Sequence, residues 1–219
     1  MENIYNFLND LKRNNNREWF NENKDRYELA REEANAIFSS IAEELNRIDD
    51  FSPYKLYRIY RDVRFSKDKT PYKGHFAALF SRRQPNNRGS FYLQLKPEGS
   101  MIGGGFWSPN KEDLLSIRKA IEMEDELKTI LNNKELKALV GSMDGEQLKT
   151  VPQGFDINHP RIELLRYKQF LLRRPLTDEE VFSTEFKDLV VKAYQTMQPF
   201  FEYMTDVLTT DENGESLIK

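Results

Sequence analysis

The chain predicts an α+β fold, with a central antiparallel sheet flanked by long amphipathic helices. Three observations carry that expectation. Apolar residues recur at steps of three and four over two long stretches, near 16–48 and 183–208. Between them, Phe91, Leu93 and Leu95 alternate with Tyr92, Gln94 and Lys96, the period of a half-buried strand. Strands and helices do not alternate in the way a parallel sheet requires.

A short helix is expected through Ile4, Phe7, Leu8 and Leu11. In 16–48, Tyr27, Ala30, Ala34, Ile37, Ile41, Leu45 and Ile48 share one helical face. The Asn14-Asn15-Asn16 run supplies an N-cap, and Glu18 sits in the first turn, where the helix dipole favours an acid. Phe76–Phe80 is a short apolar run, and Pro85-Asn86-Asn87-Arg88-Gly89 has turn composition. Strands at 91–96 and 101–107, joined by Pro97-Glu98-Gly99-Ser100, should form an antiparallel hairpin. Ser108 and Pro109 suit the N-cap and first position of a helix through Leu114, Ile117 and Ile121. Leu127, Ile130 and Leu131 suggest another short helix. Thr177-Asp178-Glu179-Glu180 reads as a capping box, with Leu176 and Val181 placed as its hydrophobic staple. The last long helix carries Phe182, Phe186, Leu189, Ala193, Met197, Phe200, Met204 and Val207, and Pro199 is expected to kink it. Residues 209–219 read as a frayed tail. No linker composition or internal repeat interrupts the chain, so 1–219 are expected to form a single domain.

Composition narrows the function classes. The chain has 38% apolar, 32% charged and 12% aromatic residues, too rich in rings for a disordered segment. A pI near 5.6 argues against general nucleic-acid coating. The absence of cysteine removes disulfides, thiolate metal sites, iron–sulfur clusters and cysteine nucleophiles together. Met1–Asp10 has neither the basic flank nor the apolar core of a signal peptide. No apolar run approaches the roughly 20 residues of a membrane span. The expected location is cytoplasmic, with no membrane partner. Neither the phosphate-loop pattern, the dinucleotide Gly-x-Gly-x-x-Gly, His-Glu-x-x-His nor Gly-x-Ser-x-Gly occurs, so no cofactor or metal is indicated.

One stretch departs from the rest. Residues 58–73 hold six Lys/Arg against two Asp, a net +4 in a chain of net −3, which leaves −7 for the remainder. A positive island in an acidic protein points to an anionic partner, small or polymeric, with a small anionic ligand favoured over nucleic acid. Read as a strand, 58–65 puts Ile59, Arg61, Val63 and Phe65 on one face, so Arg61 falls among apolar residues and needs a partner. Arg58 and Arg64 share the opposite face. A guanidinium fork suits phosphate or carboxylate. Residues 66–73 read as a loop in which Lys69, Thr70 and Lys73 supply donors and Tyr72 stacks on a ligand ring. The competing reading is structural, with Arg61 or Arg64 bridged to Asp62, Asp68 or an acid on a helix.

The same stretch carries a resemblance. Together with Asn15-Asn16-Arg17-Glu18-Trp19-Phe20, Gly103-Gly104-Gly105-Phe106-Trp107 and Gly154-Phe155-Asp156-Ile157-Asn158-His159-Pro160, it resembles the family known as domain of unknown function 2461, a set of conserved hypothetical proteins. The resemblance runs nearly the full length. It implies a single-domain fold, a basic residue where Gln153 stands here, and no particular catalysis.

Three further features bear on a site. Gly103-Gly104-Gly105 inside a strand pattern implies a bulge or a close approach, and tight helix-on-sheet packing is favoured over a ligand. Trp107, just beyond, would wall a pocket. Asp156 and His159 are spaced as a base and its orienter or as two metal ligands, although holding the loop and capping the helix after Pro160 is favoured. The 154–161 loop adds His159 and Arg161 beside a helix N-terminus, so an anion pocket is expected where this loop meets the basic segment. The ligand-binding candidates are therefore Arg58, Arg61, Arg64, Lys69, Tyr72, Lys73, Trp107, His159 and Arg161. Three function classes follow. The leading one is a binding domain for a phosphate- or carboxylate-bearing ligand. The others are an enzyme using His159 or His75 as acid–base, and an interaction protein in which the segment is an ion-pair network.

Overall fold

Ile4, Tyr5, Phe7, Leu8 and Leu11 are buried along one side of α1 (Glu2–Arg13), the first helix of a computed structural model that describes residues 1–211 and 213–218. Asn16 then caps α2 (Arg17–Glu22), its side chain accepting from the Trp19 N–H at 2.9 Å. The expected single helix over 16–48 is broken at Asn23. There the Nδ2 group donates to the Trp19 carbonyl at 2.9 Å, and the backbone leaves helical geometry at φ −108°, ψ 23°. Asparagine competes with the helix for its own carbonyls, and a helix ends where it succeeds. α3 (Lys24–Leu45) follows and buries Tyr27, Ala30, Ala34, Phe38, Ile41 and Leu45. Phe38 takes the place expected of Ile37, and Ile48 lies beyond the helix.

The sheet is antiparallel with strand order β1-β2-β3-β4-β5. Its strands are β1 (Lys55–Leu56), β2 (Phe76–Ser81), β3 (Ser90–Leu95), β4 (Ser100–Phe106) and β5 (Phe170–Leu176). The fold class is therefore α+β, as the two periodicities require. β3 and β4 are the expected hairpin, closed by the Gly99 N–H on the Lys96 carbonyl at 3.0 Å. The alternation in β3 is the burial pattern, with Phe91, Leu93 and Leu95 fully buried.

The chain clusters into two compact units. Met1–Phe80, Tyr92–Ile102 and Pro175–Val191 make the first, and Ser81–Phe91, Gly103–Arg174 and Lys192–Lys219 the second. In the first, Phe7 and Tyr27 pack on Phe76 of β2, with ring centroids 6.5 and 6.1 Å away. α8 (Asp178–Phe182) opens on the expected capping box, Thr177 with Glu180, and the staple residues Leu176 and Val181 are buried.

In the second unit, the part of α9 (Phe186–Thr209) from Lys192 onward lays Tyr194 against Phe91 at 5.5 Å and Phe201 against Phe106 at 6.2 Å. Phe182 belongs to α8 and is half exposed, so it is not the first residue of the α9 face. The helix runs through Pro199. The buried Arg82 donates to the Phe201 carbonyl at 3.2 Å and the Thr205 hydroxyl at 2.8 Å, which ties this helix to the end of β2. A Cβ on Gly104 would lie 2.9 Å from Phe201, and one on Gly105 would lie 2.1 Å from the Phe170 carbonyl. The triple glycine thus serves packing. α4 (Lys111–Met123) is capped by Asn110, two residues past the expected Ser108, because the Asn110 side chain reaches the Asp113 N–H at 2.8 Å. The second unit also holds α5 (Glu126–Leu131), α6 (Lys134–Val140) and α7 (Ile162–Leu165). The tail expected to fray turns back, with the Leu217 N–H on the Thr209 carbonyl at 2.8 Å. Residues 212 and 219 of that tail lie outside the described residues.

Candidate functional site

Residues 58–73 are not a strand. They form a two-legged excursion, joined by an isolated bridge between Tyr60 and Tyr72, with the Arg61 N–H on Pro71 at 2.9 Å and the Lys73 N–H on Ile59 at 2.7 Å. Side chains close the tip. Arg61 pairs with the Asp68 carboxylate and the Thr70 hydroxyl. Arg64 forks onto Asp62, with Nε 2.9 Å from Oδ1 and Nη2 2.6 Å from Oδ2. The Lys69 ammonium donates to the Val63 carbonyl at 3.0 Å. Local bonds of this kind replace ladder hydrogen bonds. They also hold the acids ionised: the Thr70 backbone N–H, Arg61 and the Thr70 hydroxyl pull Asp68 down to about 2. Tyr72 is buried and stacks on Phe20 at 3.9 Å, so its ring anchors a leg of the excursion.

Arg58 to Lys73 lie in the first unit, and Trp107, His159 and Arg161 in the second. Around His159 the loop holds itself. The His159 N–H donates to the Asp156 carbonyl at 3.2 Å, and His159 Nδ1 accepts from the Arg161 N–H at 3.2 Å. The Arg161 guanidinium donates to the carbonyls of Ile121 and Glu122 and to Asp125 at 2.7 Å. It therefore satisfies the last carbonyls of α4, the role a basic group takes at a helix C-terminus. Trp107 is half-buried.

A different cluster forms on the half-exposed side of the sheet in the first unit. Because β3 alternates, burying Phe91, Leu93 and Leu95 turns Tyr92, Gln94 and Lys96 to the other face. β1 pairs Lys55 with Leu79, and the Tyr57 N–H reaches the Ala77 carbonyl at 2.9 Å, which brings Lys55 and Tyr57 to the same sheet. The Nζ atoms of Lys55 and Lys73 lie 5.5 and 5.3 Å from the centre of the Tyr57 ring. Tyr57 and Tyr92 meet at 6.3 Å with planes tilted by 56°. The Tyr92 hydroxyl donates to Gln94 at 3.0 Å, and Gln94 donates to the Gly99 carbonyl at 2.9 Å, so ring and amide are fixed.

The charges here are of one sign. Burial, then Arg58 and Lys55, push the Lys73 ammonium below its ordinary value. Burial, with Lys73 and Lys96 beside it, pushes His75 down to about 4, so its imidazole is neutral at pH 7. Among the described residues, Lys55, Arg58, Lys73 and Lys96 have no carboxylate within ion-pair distance. Cation–π contact of roughly 0.5–1 kcal/mol each offsets part of that repulsion at Tyr57. The arrangement sets uncompensated cations beside two aromatic rings. Among the described residues no cluster of His, Asp and Glu is placed to hold a metal ion, and no helix is long and apolar enough to cross a membrane.

Of the candidates read from the sequence, Arg58, Lys73 and His75 belong to this cluster. Lys55, Tyr57, Tyr92, Gln94 and Lys96 were missed. The polar side of the β3 alternation signalled Tyr92, Gln94 and Lys96, and nothing local signalled Lys55 or Tyr57.

A family described as conserved hypothetical protein (DUF2461) matches residues 3–203. No curated protein matches the chain, and no solved structure does.

Proposed function

Since the chain belongs to that family of conserved hypothetical proteins, whose description states no activity, we propose a function from the site alone: binding of a small phosphate- or carboxylate-bearing ligand on the half-exposed sheet face. Lys55, Lys73, Lys96 and Arg58 supply the charge, His75 an uncharged donor, and Tyr57 and Tyr92 a wall for the ligand's planar part. The observation that carries this reading is the pair of lysines, Lys55 and Lys73, held 5.5 and 5.3 Å from the Tyr57 ring, with Arg58 beside Lys73 and Lys96 beside the half-buried His75, and no carboxylate paired to any of the four cations among the described residues. Such a cluster costs folding free energy while empty and recovers it when an anion enters. The excursion arginines fit the structural reading better, because Arg61, Arg64 and Lys69 already have partners.

The test is thermal unfolding in inorganic phosphate against chloride at equal ionic strength, with citrate as the carboxylate arm. Phosphate or citrate should raise the melting temperature of the wild type. Lys73→Met and Lys96→Met should each remove most of the gain, and Arg64→Ala should keep it. A wild type indifferent to both anions would refute the reading.

A further inference from the structure

Two surfaces outside the anion site bear on each other. The first is the tip of the excursion. Phe65 is 97% exposed there, as complete as exposure of a phenylalanine can be. The Arg64 guanidinium lies 6.0 Å from its ring, and Lys67 beside it has no carboxylate partner among the described residues. The tip is held in shape by the Arg61–Asp68, Arg64–Asp62 and Lys69–Val63 bonds, so little ordering remains to be done when the ring docks. A preorganised aromatic flanked by arginine is the composition of an interface anchor.

The second surface is a pocket of about 550 Å³ in the second unit, between α4, the end of α9 and the chain after it. Met123, Val207 and Leu217 give it apolar walls, and Met123 and Leu217 are 74% and 61% exposed. Glu124, Asp206 and Asp211 bring three carboxylates to it, against one lysine, Lys119. Its lining mixes these apolar and acidic side chains with Ser116, Thr210 and Asn213, and its volume exceeds that of a phenyl ring.

We propose that Phe65 of one molecule seats in this acidic pocket of a second copy of the chain, with Lys67 facing its carboxylates. The choice of a second copy rests on charge complementarity within one sequence: the basic segment carries +4 and the remainder −7, and the pocket gathers three carboxylates against one lysine. A single ring and its neighbours bury far less than a standard interface, so the association is weak, reversible and sensitive to salt.

Sedimentation velocity over a concentration series, in low and in high salt, reads this out. The wild type should show a sedimentation coefficient that rises with concentration in low salt and returns to the monomer value in high salt. Phe65→Ser, which disables the knob, and Met123→Lys with Asp206→Lys, which disables the pocket, should each stay monomeric. Mixing the two should restore association, because each retains the half that the other lacks. That restoration also shows that both variants fold. A wild type that stays monomeric throughout overturns the proposal, as does a mixture that fails to pair or a Phe65→Ser variant that associates like the wild type. Vesicle binding lost in Phe65→Ser, beside a monomeric wild type, would assign the knob to membranes instead.

Discussion

His75 shows how one side chain sets a pH dependence. Its folded value of about 4 lies below the ordinary 6.5, because burial and the flanking Lys73 and Lys96 disfavour the charged ring. The unfolded chain therefore binds the extra proton first. Stability is complete above the unfolded value and is lost as pH falls from 6.5 toward 4, by up to about 3 kcal/mol. His75→Gln should flatten that part of a stability–pH curve measured by urea unfolding. A bound phosphate should raise the His75 titration midpoint seen by NMR, since an anion favours the imidazolium. Gly105 makes a different demand. With φ at +139° and the Phe170 carbonyl 2.1 Å from where a Cβ would stand, Gly105→Ala should cost roughly 3 kcal/mol or more. A melting temperature within a degree or two of the wild type would contradict that close approach.

Elements answer to bonds that the sequence shows only in part. Arg161 was legible as a cation near a helix terminus, but the helix it serves is α4, 40 residues earlier in the chain at Ile121. Arg161→Met should therefore destabilise the protein by about 2 kcal/mol, by stranding carbonyls at the end of α4, and leave the phosphate response intact. A Lys73→Met variant should do the reverse, losing the response at little cost in stability. The contrast separates structural from ligand cations in two melting curves per variant. The capping box at Thr177 and the β3–β4 hairpin could be read in advance, because each is complete within a few residues. The break at Asn23 could not, since the same asparagine is tolerated inside many helices and its side chain decides. β5 was missed because Arg173, Arg174 and Pro175 interrupt its apolar run, and β1 because two residues show no period.

At the scale of the molecule, four strands and α9 each contribute residues to both compact units. A chain divided in that way has no linker at which one unit could be cut from the other. The expected single domain is then a prediction of one cooperative transition: near- and far-ultraviolet circular dichroism should trace the same urea curve, and separated transitions would refute it. The site residues scatter over 55–96, and only the strand register gathers them, which is why the +4 segment was visible in the sequence and its partners Lys55 and Lys96 were not. The outer strands carry a last consequence. β1 offers a neighbour only two residues of ladder, with a lysine among them. β5 contains Pro175, which has no N–H to give, and its Leu171 is already bonded both ways to Asp144 at 3.0 and 2.7 Å. Neither border of the sheet is a template onto which a foreign strand can crystallise. Whatever this protein joins, it joins by side chains, and concentrated samples should grow no fibres that bind thioflavin.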